Sequence, residues 1–130
     1  RHAGPVHPGQ GVGRRLREYA DERQRTITLV SIQPDSPLHG FEGLKHMETA
    51  IVPGIYDATL ADADVRVGTE PSYRAVRQLA SDEGLLVGPS SGAALTVGLN
   101  VAWELREGVV VMIFCDGGEK YLTQRFWDDQ

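Results

Sequence analysis

Two short segments of the sequence place hydroxyl and carboxylate groups where a strand is expected to end. In the first, the apolar run Leu85-Leu86-Val87 leads into Gly88-Pro89-Ser90-Ser91-Gly92, and a helical pattern follows. Ligands of open α/β sheets bind beyond the carboxyl ends of strands, where a helix N-terminus also offers free N–H groups and a positive dipole end. Ser90 and Ser91 could therefore hydrogen-bond a ring nitrogen or a phosphate. Alternatively, one of them only caps the helix.

The second segment runs from Phe114 to Thr123 and follows an apolar run that predicts another strand. Asp116 would lie at the same sheet edge as Ser90 and could orient a ligand or a hydroxyl. The alternative is an ordinary Asp-Gly turn. Cys115 is interpreted as a small buried hydrophobe, because no paired base in the sequence makes it a nucleophile.

Two other kinds of site are not expected. The segment Gly9–Arg14 is no dinucleotide fingerprint, because Arg14 stands where the third glycine should be and no strand precedes it. The histidines lie in or beside loops without the spacing of a metal site; they are His2, His7, His39 and His46.

The elements that position these groups alternate between helix and strand. This order predicts an α/β fold, with an open, mostly parallel sheet and helices on both faces. The first ten residues contain Pro5 and Pro8 and are expected to be irregular. The predicted elements are a helix over 11–23, a strand over 26–32, a strand over 64–67, a helix capped by Thr69 and closed by Gly84, a strand end at 85–87, a helix over 93–106, and a strand buried on both faces over 109–115.

Length and charge exclude several classes of function. The chain has 130 residues, which suits one domain, and its net charge of −5 argues against phosphate-backbone binding. A single cysteine excludes a disulfide framework and a multi-cysteine zinc site. The longest apolar run is far too short to cross a membrane, and no charged-then-apolar leader opens the chain. We therefore expect a cytoplasmic protein that binds neither nucleic acid nor membrane.

Five motifs, in this order and spacing, resemble the C-terminal part of a cysteine synthase (O-acetylserine sulfhydrylase), most closely the B-like branch. This family consists of pyridoxal-phosphate enzymes of the tryptophan-synthase-β-like fold, fold type II. The resemblance implies that residues 11–130 are the C-terminal portion of such a domain, and that residues 1–10 stand where the family has its phosphate loop. The motifs are GVGRRLRE at 11–18, Gln33-Pro34, IVPGIYD at 51–57, EGLLVGPSSGAAL at 83–95 and CDGGEKYLT at 115–123.

The resemblance also implies roles for individual residues. Ser90 matches the serine that hydrogen-bonds the pyridine nitrogen of pyridoxal 5′-phosphate, and Asp116 belongs to the turn beside that ring. Gly88 and Ser91 complete the implied cofactor-binding set. Lys45 and His46 could bind an anionic sulfur donor or leaving group, although solvated loop charges are the common alternative.

Two departures from the family pattern bear on activity. Neither Lys45 nor Lys120 matches the family's Schiff-base lysine, so no catalytic residue is assigned. Pro5 and Pro8, within the segment that replaces the phosphate loop, have no N–H to offer a phosphate. The parent family uses pyridoxal 5′-phosphate, whereas its retention by this chain stays open.

Two functions therefore stand side by side. The chain is a fragment or truncated relative of a pyridoxal-phosphate cysteine synthase, which replaces the leaving group of an activated serine by a sulfur nucleophile, and is inactive alone. Alternatively, it is a non-catalytic α/β binding or assembly module that keeps the fold without the cofactor. In either case we expect a homo-oligomer, because a partial domain should expose apolar surface.

The local geometry of the first segment gives a further expectation. Pro89 fixes an abrupt corner after Gly88, so Ser90 should face the ligand edge. Ser91 should instead cap the helix that begins near Ala93. Gly92 should let that helix approach its neighbour closely, because it has no Cβ.

Overall fold

The computed structural model describes residues 8–41, 44, 46, 48 and 56–128. The chain divides into two compact units, one formed by Arg1–Ser31 with Met47–Val65 and the other by Ile32–His46 with Arg66–Gln130. Across the described ranges, no helix has both the length and the apolar character needed to cross a membrane.

The first unit contains helix α1, Pro8–Arg23. It begins three residues earlier than predicted, because proline is tolerated at the first position of a helix, where no N–H is needed. Its buried positions are Gly13 and Ala20, whereas its larger apolar side chains Val12 and Tyr19 are exposed. A Cβ at Gly13 would lie 2.9 Å from a methyl carbon of Leu60, so this glycine permits close helix packing.

In the part of the chain that the structure describes, the sheet has two strands, β1 (Val30–Pro34) and β2 (Ala63–Val67). The amide of Ala63 donates to the carbonyl of Leu29 over 3.3 Å, and the amide of Asp35 donates to the carbonyl of Val67 over 3.1 Å. The residue numbers of both strands therefore increase in the same direction, and the strands are parallel as predicted.

Two helices dominate the second unit, α2 (Thr69–Glu83) and α3 (Pro89–Glu104). The α2 helix ends at Gly84, whose φ of 68° is left-handed, as predicted for a glycine at this position. Its N-cap is Gly68 and not Thr69, so the predicted hydroxyl cap is wrong. A Cβ at Gly92 would collide with the carbonyl oxygen of Ser72, which confirms the close approach of α3 to α2.

A small apolar cluster lies beside these helices. Val76 of α2, Val87, Tyr121 and Phe126 are all buried within it. Tyr121 and Phe126 lie in two short 3-10 helices, Gly118–Tyr121 and Arg125–Trp127. Because each 3-10 helix contributes one aromatic side chain, the cluster fixes the segment that follows Asp116.

The predicted strand over 109–115 is wrong in the structure. These residues take no regular secondary structure, and Val109, Val111 and Ile113 are exposed instead of buried. The alternate residues are half-buried, as expected of an extended segment with one packed face. Cys115 is exposed as well, so its interpretation as a buried hydrophobe is also wrong. The physical reason is that the described sheet contains only β1 and β2, which leaves this segment without a neighbouring strand.

Candidate functional site

The helix that carries the two serines, α3, begins earlier in the chain than the sequence predicts. Helix α3 begins at Pro89, with Gly88 as its N-cap in an extended conformation. No side chain forms a capping hydrogen bond there. The prediction that Ser91 caps a helix starting near Ala93 is therefore wrong, because proline at the first position already starts the helix at residue 89.

The structure brings the two predicted segments together. The amide of Gly88 donates to the carbonyl of Asp116 over 3.2 Å, and the amide of Gly118 donates to the carbonyl of Leu86 over 3.1 Å. Val87 and Gly117 form an isolated antiparallel bridge. The sequence indicated this proximity, but through neighbouring strands of a sheet; here one bridge joins the two segments.

The two serine hydroxyls stand in different surroundings. Ser91 is 1% exposed, and its Oγ is buried with no hydrogen-bond partner among the described residues. Ser90 is half-buried on the first turn of α3. A buried hydroxyl without a partner is uncommon and calls for an explanation, such as a ligand or a water molecule that completes its bonding.

The carboxylate of Asp116 has one oxygen engaged and one without a partner. Its Oδ2 accepts a hydrogen bond from the hydroxyl of Tyr121 over 2.6 Å. Its Oδ1 is buried and has no partner in the described part of the chain. This oxygen lies against the backbone of Gly88, since a Cβ on that glycine would collide with it.

We call Gly88, Ser90, Ser91 and Asp116 the corner site. It combines hydroxyl groups that can donate or accept, a carboxylate that accepts, and the positive end of a sixteen-residue helix. Two buried polar atoms at the corner site have no hydrogen-bond partner among the residues that the structure describes. This set of groups fits a heteroaromatic ligand that has a ring nitrogen and an anionic substituent.

The other predicted site residues are placed only in part. Lys45 lies outside the described residues, as do residues 1–7 of the segment 1–10 that is predicted to replace the family's phosphate loop. His46 is described and is 6% exposed. Such burial makes a solvated loop charge a poor description of His46. Lys120 is exposed in the first 3-10 helix.

A family model now gives these observations a context. The model described as "Pyridoxal-phosphate dependent enzyme" matches residues 9–116, which is most of the chain and includes all of the corner site. The chain belongs to this family of pyridoxal-phosphate dependent enzymes. The expected fold, part of a fold type II domain, agrees with this assignment.

Individual relatives give the same result. The chain is 45% identical over 124 residues to a cysteine synthase of Aquifex aeolicus, covering 92% of this chain and 37% of that protein. It is 34% identical over 113 residues to cysteine synthase B of Escherichia coli, covering 87% and 36%. The crystal structure of O-acetyl serine sulfhydrylase isoform 3 from Entamoeba histolytica superposes with a TM-score of 0.78 at 26% identity, covering 93% and 37%. The resemblance to the cysteine synthases is confirmed, and the chain spans little more than a third of the length of these family members.

One residue of this region was missed by the sequence analysis. Tyr121 contacts Asp116 through its hydroxyl and is 3% exposed. The available signal is an aromatic residue five positions after the aspartate of an Asp-Gly-Gly turn. The sequence does not predict a role for Tyr121, because the segment after Asp116 shows neither a helical nor a strand period.

Proposed function

We propose that this chain is part of a pyridoxal-phosphate dependent cysteine synthase and that its corner site binds the pyridine ring of the cofactor. The observation that carries the proposal is the placement of Ser90, half-buried on the first turn of α3, next to the Gly88 turn whose amide donates to the carbonyl of Asp116. Kinship to cysteine synthases supports the same assignment.

The residues of the corner site have distinct proposed tasks. Ser90 binds the ring nitrogen through its hydroxyl, and Ser91 offers a second hydroxyl. Gly88 leaves room beside Asp116, because any side chain there would collide with the carboxylate. When bound, pyridoxal 5′-phosphate supplies an electron sink for replacing the leaving group of an activated serine by a sulfur nucleophile.

We further propose that the 130-residue chain alone does not turn over O-acetylserine and sulfide. Its two lysines are Lys45 and Lys120, and neither matches the lysine that binds the cofactor covalently in the family. Lys120 lies on the exposed first 3-10 helix. Without that amine, the site lacks both the covalent anchor and the group that moves a proton.

The anionic substrate is assigned to a second place. Lys45 and His46, which are adjacent in the sequence, bind the anionic sulfur donor or the leaving group, in line with the kinship to cysteine synthase B. Replacing both residues by alanine should leave cofactor binding unchanged. In the complete enzyme, the same double variant should raise the KM of an anionic substrate more than it lowers kcat.

The experiment that tests the proposal is a titration of the purified chain with pyridoxal 5′-phosphate, followed by absorbance and equilibrium dialysis. Saturable binding is expected, and Ser90→Ala should weaken it by about fivefold, as the loss of one hydrogen bond implies. Ser81→Ala, which changes an exposed serine on α2, is the matched control and should bind like the unmodified chain. Absence of saturable binding, or equal binding by Ser90→Ala, would contradict the proposal.

A further inference from the structure

Two kinds of contact fix the position of Tyr121: its ring packs in the apolar cluster, and its backbone carbonyl accepts a hydrogen bond. Its ring is 3% exposed within the apolar cluster of Val76, Val87 and Phe126. Its carbonyl accepts a hydrogen bond from the indole Nε1 of Trp127 over 2.8 Å. A side chain fixed in this way has lost its rotamer freedom before its hydroxyl makes any contact.

The hydroxyl of Tyr121 in turn fixes one oxygen of Asp116. The distance of 2.6 Å between Tyr121 Oη and Asp116 Oδ2 is typical of a hydrogen bond to a carboxylate. The second oxygen, Oδ1, is buried against Gly88 and has no hydrogen-bond partner within the described ranges of the chain. Leaving a carboxylate oxygen in that state costs free energy, so an arrangement of this kind needs a compensating role.

Gly88 is enclosed by the same two side chains. Its amide donates to the carbonyl of Asp116. A Cβ added to it would collide with Asp116 Oδ1 and would lie 2.7 Å from a ring carbon of Tyr121. Ser90 follows Gly88 by two residues and lies on the first turn of α3. The position of Gly88 therefore affects the position of Ser90.

We propose, on the basis of the proposed function, that Tyr121 and Asp116 are positioning residues that clamp the Gly88 turn and thereby aim the Ser90 hydroxyl at the ring nitrogen of a pyridine ligand. Tyr121, which is not a member of the corner site, acts through Asp116 and does not itself touch the ligand. The effect of both residues is to reduce the number of orientations open to Ser90, and restricted orientation increases the affinity gained from one hydrogen bond.

The test compares two ligands that differ at one atom. Pyridoxal 5′-phosphate and its 1-deaza analogue, in which C–H replaces the ring nitrogen, are titrated against the full chain and its variants. The ratio of the two dissociation constants measures recognition of the ring nitrogen, as in a double-mutant cycle. General damage to the fold weakens both ligands alike and leaves the ratio unchanged.

The variants isolate the clamp from the rest of the fold. Tyr121→Phe keeps the buried ring and removes only the hydroxyl. Tyr73→Phe is the matched control, because the Tyr73 hydroxyl donates to the carbonyl of Gly40 over 3.2 Å and makes no contact with Asp116. Asp116→Ala removes the oxygen that accepts the hydrogen bond of the Tyr121 hydroxyl.

We expect the unmodified chain and Tyr73→Phe to favour pyridoxal 5′-phosphate over the analogue by about fivefold. Tyr121→Phe and Asp116→Ala should bring the ratio close to one, as Ser90→Ala does. A Tyr121→Phe ratio equal to that of the unmodified chain, with Ser90→Ala lowered, would overturn the clamp and leave the proposed function intact. A ratio of one in the unmodified chain would overturn the proposed function and the clamp together.

Discussion

The hydroxyl of Ser91 is buried and makes no hydrogen bond with any described residue. Such a group does not stabilise the folded chain, because it loses its hydrogen bonds to water on folding and forms none with the protein in exchange. We therefore predict that Ser91→Ala leaves the free energy of unfolding of the cofactor-free chain unchanged or raises it by up to about 1 kcal/mol. Urea unfolding followed by circular dichroism measures this difference.

Ser72→Ala is the matched control for that prediction. Ser72 is equally buried, but its hydroxyl donates to the carbonyl of Gly68 over 2.8 Å. Its replacement should lower the free energy of unfolding by about 1 kcal/mol. A comparable loss in Ser91→Ala would mean that its hydroxyl has a partner in solution.

A second prediction at the scale of single residues concerns Asp62. Its Oδ2 accepts from the amide of Leu29 over 2.7 Å and from the guanidinium of Arg17 over 2.6 Å. The Leu29 amide first, and Arg17 second, hold the pKa of Asp62 below its ordinary value. A carboxylate whose pKa is lower in the folded chain stabilises it fully above its unfolded pKa of about 4. That contribution is lost as the pH falls through the folded pKa.

We therefore predict that Asp62→Asn has a flatter dependence of thermal stability on pH below about 4 than the unmodified chain. The measurement is the midpoint of thermal unfolding at a series of acidic pH values. Asp21→Asn, on the exposed surface of α1, makes the same chemical change away from Leu29 and should keep the original pH dependence. Identical curves for both variants would refute the assignment to Asp62.

At the scale of elements, the contact between α2 and α3 depends on one missing side chain. A Cβ at Gly92 would collide with the carbonyl oxygen of Ser72 and would lie 2.5 Å from a methyl carbon of Val76. Backbone cannot move aside as a flexible side chain can, so the helices would have to separate. We predict that Gly92→Ala lowers the free energy of unfolding by about 1–3 kcal/mol, measured by urea unfolding.

Gly11→Ala provides the comparison within another helix. Gly11 lies inside α1, and a Cβ there would meet nothing within 4 Å. Alanine should raise the free energy of unfolding by about 0.5–1 kcal/mol, because glycine loses more backbone entropy on folding. If both alanine variants were stabilising, α2 and α3 would not be in contact at Gly92.

Some of the helices and strands could be predicted from the sequence, and others only in part. Helix α2 and strand β2 follow from local signals, namely apolar spacing, the proline in the first turn and Gly84 at the end. Helix α3 begins four residues before its predicted start near Ala93. The reason is that Pro89 is the first helical residue and not part of a turn. The corner site was predicted as a set of residues; the position of Ser91 relative to the helix was not.

The segment over 109–115 shows why the remainder could not be predicted. Its apolar run predicts a buried strand from composition alone. A strand, however, forms only beside another strand that accepts and donates its hydrogen bonds, and no local pattern carries that information. Likewise, the contact between Tyr121 and Asp116 depends on tertiary packing around Phe126 and Val76, which short-range spacing does not encode.

At the scale of the whole molecule, the second unit exposes a large amount of apolar side chain. Trp103, Val109 and Val111 are each more than 80% exposed. Leu99, Ala102, Trp103 and Leu105 line an open groove of about 340 Å³. Large exposed apolar patches are rare on soluble monomers, so we expect these exposed side chains to be covered, at least in part, by a second copy of the chain.

We therefore predict that the chain self-associates and that Val111→Lys weakens the association by at least about tenfold, because a buried lysine at the contact would have to lose its hydration. Sedimentation velocity over a concentration series measures the dissociation constant. Val12→Lys is the matched control: it makes the same change of charge on helix α1, where Val12 is 39% exposed, and should leave the association constant unchanged. A chain that sediments as a monomer at every concentration, or equal weakening by both lysine variants, would show that the apolar surface of residues 99–113 does not bind a second copy.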